Sequence, residues 1–162
     1  MADLLWDDHV AWLLDQAGEG WLPDMRIADT TVADWQALLD LVEEQGWAYE
    51  FIVGCFALPL PRAETVPFRR AGRVCPVLSV RPSPEVGVIF RFRSDERIDF
   101  DIDLGQLQGQ EGLDVLCGFL AAIGRRLGRS VPTYSEGDRR VPFLGYDVAA
   151  DRVRVLWTES AH

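Results

Sequence analysis

Residues 86–103 read VGVIFRFRSDERIDFDID. Val86, Val88, Phe90 and Phe92 recur at every second position, Ser94-Asp95-Glu96 supplies a turn, and Ile98, Phe100 and Ile102 then alternate with Asp99, Asp101 and Asp103. Successive side chains of a strand point to opposite faces, so this pattern predicts a hairpin with one apolar face for a core and one charged face.

Downstream, apolar residues at Leu113, Leu116, Cys117, Leu120, Ile123 and Leu127 share one helical face that Val115 and Phe119 widen. The spacing predicts a helix over 109–127, buried on more than one side. Gly118 and Gly124 are costly inside a helix and point to close approach of the sheet. A strand near 130–134, a polar loop and a hairpin from 141–146 to 152–157 complete the expected body.

Upstream, residues 58–84 hold six of the nine prolines and five arginines against Glu64 alone. This predicts a basic, irregular connection in which 74–81 pairs at most as an edge strand, where proline is tolerated. Trp47 to Val53 reads as a strand. Before it, Thr30 or Thr31 is an N-cap for a helix through Gln45, with Val32, Trp35, Leu38, Leu39 and Val42 on its apolar face and Gly46 as a left-handed stop. Residues 3–16 read as a first helix ended by Gly18-Glu19-Gly20.

The fold predicted is therefore α+β. Two acidic N-terminal helices precede a mostly antiparallel sheet of about five or six strands, with one buried helix packed on a face. The chain has the size of a single domain, 1–162, with an acidic helical segment 1–46, a body 47–158 and a flexible C-terminus.

Charge is unevenly distributed. The first fifty residues hold twelve acids and one base, Arg26, for a formal charge of −11, against about +1 for the other 112 residues. Such a field attracts a basic partner and repels nucleic acid and anionic membranes. The acidic start, Met1 to Asp8, does not suit a secretory leader. The longest apolar run, 51–60, is far short of the ~20 residues that span a bilayer. A cytoplasmic protein is expected, with Cys55, Cys75 and Cys117 as reduced, mostly buried thiols.

All sixteen basic residues are arginine, and asparagine is also missing. Both absent residues have AT-rich codons, which points to a GC-rich bacterial genome. Phosphate-loop and Schiff-base lysine chemistry is excluded.

Two constellations compete as functional sites. Asp99, Asp101 and Asp103 project three carboxylates to one face and would serve a metal-dependent hydrolase or phosphoesterase. Alternatively they form a charge ladder with the neighbouring strand: if Phe92 lies opposite Ile98, Arg91 faces Asp99, and if it lies opposite Phe100, Arg91 and Arg93 face Asp101 and Asp99. The second constellation is the acidic helix face. Asp40 and Glu44 lie four apart opposite the apolar stripe, and Glu43 and Glu44 sit where the helix dipole disfavours negative charge. Such acids face either the basic stretch 62–81 or a basic partner. His9, the one internal histidine, lies in an acidic helix with no nucleophile motif nearby. Arg125, Arg126, Arg129, Arg139 and Arg140 would gather at the end of helix 109–127, as caps or as an anion site. The aromatic run Trp47, Tyr49, Phe51, Phe56 reads as core strand, any exposed part marking an oligomer contact.

In size, acidity and lack of active-site motifs the chain resembles the small acidic immunity proteins that neutralise bacterial polymorphic or contact-dependent toxins. The resemblance implies a single cytosolic α+β domain without cofactor that binds a cognate toxin directly. The expected function is a non-enzymatic protein-binding module for a basic protein, with Asp34, Asp40, Glu43 and Glu44, or the Asp99, Asp101, Asp103 row, as its contact surface. A metal-dependent hydrolase and a structural or oligomeric module are the alternatives.

Overall fold

The structure is a computed structural model and describes residues 4–12, 24–68, 74–84, 86–102, 109–135 and 138–156. In chain order the elements are β1 (Asp24–Ala28), α1 (Val32–Glu44), β2 (Ala48–Val53), β3 (Phe56–Leu58), a 3-10 turn (Ala63–Thr65), β4 (Val77–Ser83), β5 (Val86–Ser94), β6 (Arg97–Ile102), α2 (Gly109–Leu127), β7 (Val131–Ser135), β8 (Asp138–Asp147) and β9 (Arg152–Val155). The strands form one sheet in the order β3-β2-β4-β5-β6-β1-β7-β8-β9, with every neighbouring pair antiparallel.

Among the described residues the α+β fold thus has nine strands where five or six were expected, and the two acidic helices do not simply precede the sheet. Strand β1 comes between them in sequence and enters the middle of the sheet, pairing with β6 on one side and β7 on the other. Its apolar Met25 and Ile27 are buried and Arg26 alternates between them. Of the helix expected at 3–16, residues 8–12 are helical, with Asp7 capping the Val10 amide at 2.8 Å, and 13–16 lie outside the described residues.

Strand β4 is interior, between β2 and β5, not an edge. Pro82 is accommodated because the β4–β5 register shifts between Val80 and Ser83, where a residue without an N–H breaks no ladder bond. The loop expected after 134 is largely strand, since β7 and β8 form a hairpin across 136–137.

Helix α1 begins as its sequence dictates. Thr31 Oγ1 accepts from the Asp34 amide at 3.3 Å while the Asp34 carboxylate accepts from the Thr31 amide at 3.0 Å, a capping box of the kind worth about 1 kcal/mol. Trp35 anchors it: its ring stacks on Phe92 at 4.4 Å and its Nε1 donates to the Ser94 carbonyl at 3.1 Å. Thr30 binds the same β5–β6 turn, through its amide to Glu96 O and its hydroxyl to Asp95 O.

Helix α2 packs on the same sheet face, with Phe119 among Trp47, Phe90 and Phe100. Gly124 is covered directly by the Tyr146 ring, whereas Gly118 is exposed over open space and marks no close approach. The core lies between this helical layer and the apolar sheet face of Met25, Ile27, Leu78, Val80, Val88, Phe90, Phe92, Ile98, Phe100 and Ile102. Among the described residues, no helix is long and apolar enough to cross a membrane.

Candidate functional site

The sheet face away from the helices carries the aspartate row. Arg91 lies opposite Asp99 on β5–β6, the first of the two registers considered, and Arg26 lies opposite Asp99 on β1. Arg26 Nε donates to Asp99 Oδ1 at 2.8 Å and Arg97 Nε to Asp99 Oδ2 at 2.9 Å, so both carboxylate oxygens are engaged. Arg91 bonds the diagonal Asp101. The Asp99 side chain is only 10% exposed, and its two hydrogen-bonded arginines offset the cost of burying a carboxylate. Asp103 lies outside the described residues. Among those described, no group of three or more His, Cys, Asp or Glu side chains is placed to hold a metal ion.

The four acids of the α1 region divide into two pairs. Asp34 serves the capping box and lies 3.6 Å from Arg129 Nη2. Glu44 is held in a fork by Arg126, whose Nη1 and Nη2 donate at 2.6 and 2.9 Å. This resolves the unfavourable charge at the end of α1. The compensating cation comes neither from residues 62–81 nor from a partner but from the last turn of α2, where the dipole favours a positive charge. The hydrogen bond from Arg126 holds the Glu44 carboxyl below its usual range, and the Arg126 guanidinium is correspondingly raised.

Among the described residues, Asp40 and Glu43 have no such forked partner. Asp40 Oδ1 accepts from Gln36 Nε2 at 2.8 Å, and although its charge helps to raise the Arg126 guanidinium, no described arginine lies within ion-pair distance of it. Glu43 is exposed at the end of α1. The other amide atom of Gln36, Oε1, accepts from the Ala63 amide at 2.8 Å and so fixes the 3-10 turn against α1. Between α1, this turn and Arg126 lies an open cleft of about 410 Å³, lined by Val32, Ala33, Gln36, Ala37, Asp40, Arg62, Glu64 and Arg126. Arg62 belongs to the basic stretch 62–81 that the sequence set opposite these acids, whereas the contributions of Gln36 and Glu64 were missed; the one available signal was the Gln36-to-Asp40 spacing of four.

No family model, curated protein or solved structure matches this chain. The geometry of its own residues is therefore the basis for assigning a role.

The arginines expected to gather past α2 are instead distributed. Arg125 Nε bonds Asp151 at 2.7 Å, Arg126 takes Glu44, and Arg129 reaches Asp34 and, at 3.5 Å, the Ala28 carbonyl. The side chains of Arg139 and Arg140 lie outside the description. Tyr146 donates its hydroxyl to the same Asp151 oxygen at 2.6 Å; burial first, and then this bond, push its phenol up. Asp151 is held low by Arg125 and Tyr146. His9 is exposed and stacks beside Trp12 at 6.4 Å. Of the cysteines only Cys117 is buried; Cys55 is exposed and Cys75 half-buried. The aromatic run also splits, with Phe51 buried and Trp47 against Phe119, but Tyr49, Phe56 and Leu58 exposed at 42%, 72% and 48%.

Proposed function

We propose that the protein is a non-enzymatic acidic binding module, acting in the cytoplasm, that docks a basic protein through the outward side of α1 around Asp40 and Glu43. The observation that carries this reading is the division of carboxylates. Asp34, Glu44, Asp99, Asp101, Asp147 and Asp151 each have an arginine within ion-pair distance, whereas among the described residues none lies so close to Asp40, which lines an open cleft, or to Glu43. The internally paired acids, including Asp99 and Asp101, then serve the fold, and of the described acids that the sequence put forward as a contact surface, docking falls to Asp40 and Glu43. Complementary charge of this kind accelerates encounter and selects among partners more than it sets raw affinity. The profile shared with immunity proteins makes a toxin domain the partner class to look for first. An affinity capture from lysate of the native host, at low and high salt, tests this. A single basic protein retained at low salt, released at high salt and not retained by Asp40→Arg/Glu43→Arg is expected; retention indifferent to both salt and charge reversal defeats the proposal.

A second reading is favoured by one separate observation. Phe56 and Leu58 lie on the edge strand β3 and, with Tyr49, leave apolar surface at one margin of the sheet, as an oligomer contact would. Light scattering at high concentration decides it, a strict monomer counting against this reading.

A further inference from the structure

We infer that residues 4–12 form a detachable strap, latched to the body by the side-chain amide of Gln110, which opens as a unit while the sheet stays folded and so uncovers an apolar seat on the core. Leu4 and Trp6 pack against the core, and Leu5 between them is 71% exposed. Residues 8–12 then make one short helix, started by Asp7, whose carbonyl accepts from the Ala11 amide at 2.9 Å and whose carboxylate accepts from the Val10 amide at 2.8 Å. Val10 is the inward anchor, 3% exposed, while Trp12 stands 47% exposed. An isolated helix this short is not stable in water, so its order depends on docking.

The latch is a single side chain. Gln110, in the first turn of α2, accepts from the Trp6 amide at 2.7 Å through Oε1 and donates to the Leu4 carbonyl at 2.9 Å through Nε2. It binds the backbone on both sides of Leu5, as a residue of a neighbouring strand would. Its orientation is set from within α2, because Nε2 also donates to Asp114 Oδ1 at 2.8 Å, one turn further along. Only an amide offers an acceptor to Trp6 and donors to both Leu4 and Asp114 from one planar group. Strands β4, β5 and β6 are tied along both edges by backbone ladders, whereas the strap lies outside the sheet. Segments with few backbone ties to the body open at lower free energy than core strands. The strap involves neither Asp40 nor Glu43, so it stands or falls apart from the docking face.

Native-state hydrogen exchange on the full chain, followed by NMR, tests the strap. In the wild type the Val10 and Ala11 amides should exchange through an opening that low urea accelerates little, while the Phe90 and Phe100 amides of the sheet exchange through an unfolding that urea promotes steeply. Gln110→Ala, which does not lower helix propensity in α2, should speed exchange at Val10 and Ala11 by about tenfold and leave Phe90 and Phe100 unchanged. Gln110→Glu keeps the acceptor for Trp6 but loses the donor for Leu4, and should speed the same two amides. Neither Val10 nor Ala11 donates to Gln110, so both report the segment and not the lost bond itself. Exchange at Val10 and Ala11 that follows the sheet amides in urea, or that neither variant changes, overturns the inference. If a variant fails to fold, the urea dependence of the wild type decides alone.

Discussion

The ring of Tyr146 lies directly on the Cα of Gly124, leaving no space there for even a methyl group. A glycine in the last turns of α2 is thus the point where the helix meets β8. Gly124→Ala should destabilise the protein by about 1–3 kcal/mol, because the clash is with the body of a buried ring and outweighs the gain in helix propensity. Gly118→Ala, on the same helix over open space, should stabilise by up to about 1 kcal/mol. Urea denaturation of both variants checks the pair.

That contrast also marks how far the sequence could be read. The helix over 109–127, the Thr31 cap and the 86–102 hairpin rest on patterns within a few residues, and each is found where periodicity and capping place it. Which glycine touches the sheet depends on a strand that follows α2, so Gly118 and Gly124 look alike in sequence. Strand β1 was missed because its five residues gain their meaning from partners far along the chain: Arg26 and Asp99 are 73 positions apart. The same holds for the site. Glu44 and Arg126 are separated by 82 positions and Gln36 and Ala63 by 27, so no local pattern could tell the consumed acids from the available ones.

The Asp99 ladder should behave as a semi-buried network. Asp99→Ala strips both Arg26 and Arg97 of their acceptor and is expected to cost about 1.5–3 kcal/mol, whereas Arg62→Ala, which removes an exposed pair, should cost no more than about 0.5 kcal/mol. With both described carboxylates held by arginines, Mg²⁺ or Mn²⁺ should raise the melting temperature of the wild type no more than that of Asp101→Ala. A metal-dependent rise confined to the wild type would revive the hydrolase alternative.

The fork between Glu44 and Arg126 carries a pH signature. The Glu44 carboxyl is depressed in the folded protein, so its contribution to stability is fully present above the unfolded carboxyl value and disappears as pH falls through the folded one. The melting-temperature difference between wild type and Glu44→Gln should therefore be constant near neutrality and shrink below about pH 4.5. Thermal unfolding followed at a series of pH values measures it.

Removing the cap at the start of α1 has a local cause and a wider result. Thr31→Ala loses the oxygen that accepts from the Asp34 amide and should cost about 1 kcal/mol, while Thr31→Ser should be nearly neutral because the hydroxyl remains. Chemical denaturation of the two variants separates the cap from any effect of lost side-chain volume.

The most direct test of the docking face is the affinity of the captured basic partner for wild type and for Asp40→Arg/Glu43→Arg, measured by calorimetry at two salt concentrations. Charge reversal should weaken binding by at least about tenfold at low salt, and the wild type should lose affinity steeply as salt rises. An affinity that is the same for both proteins, at either salt concentration, would contradict the assignment of α1 as the docking surface.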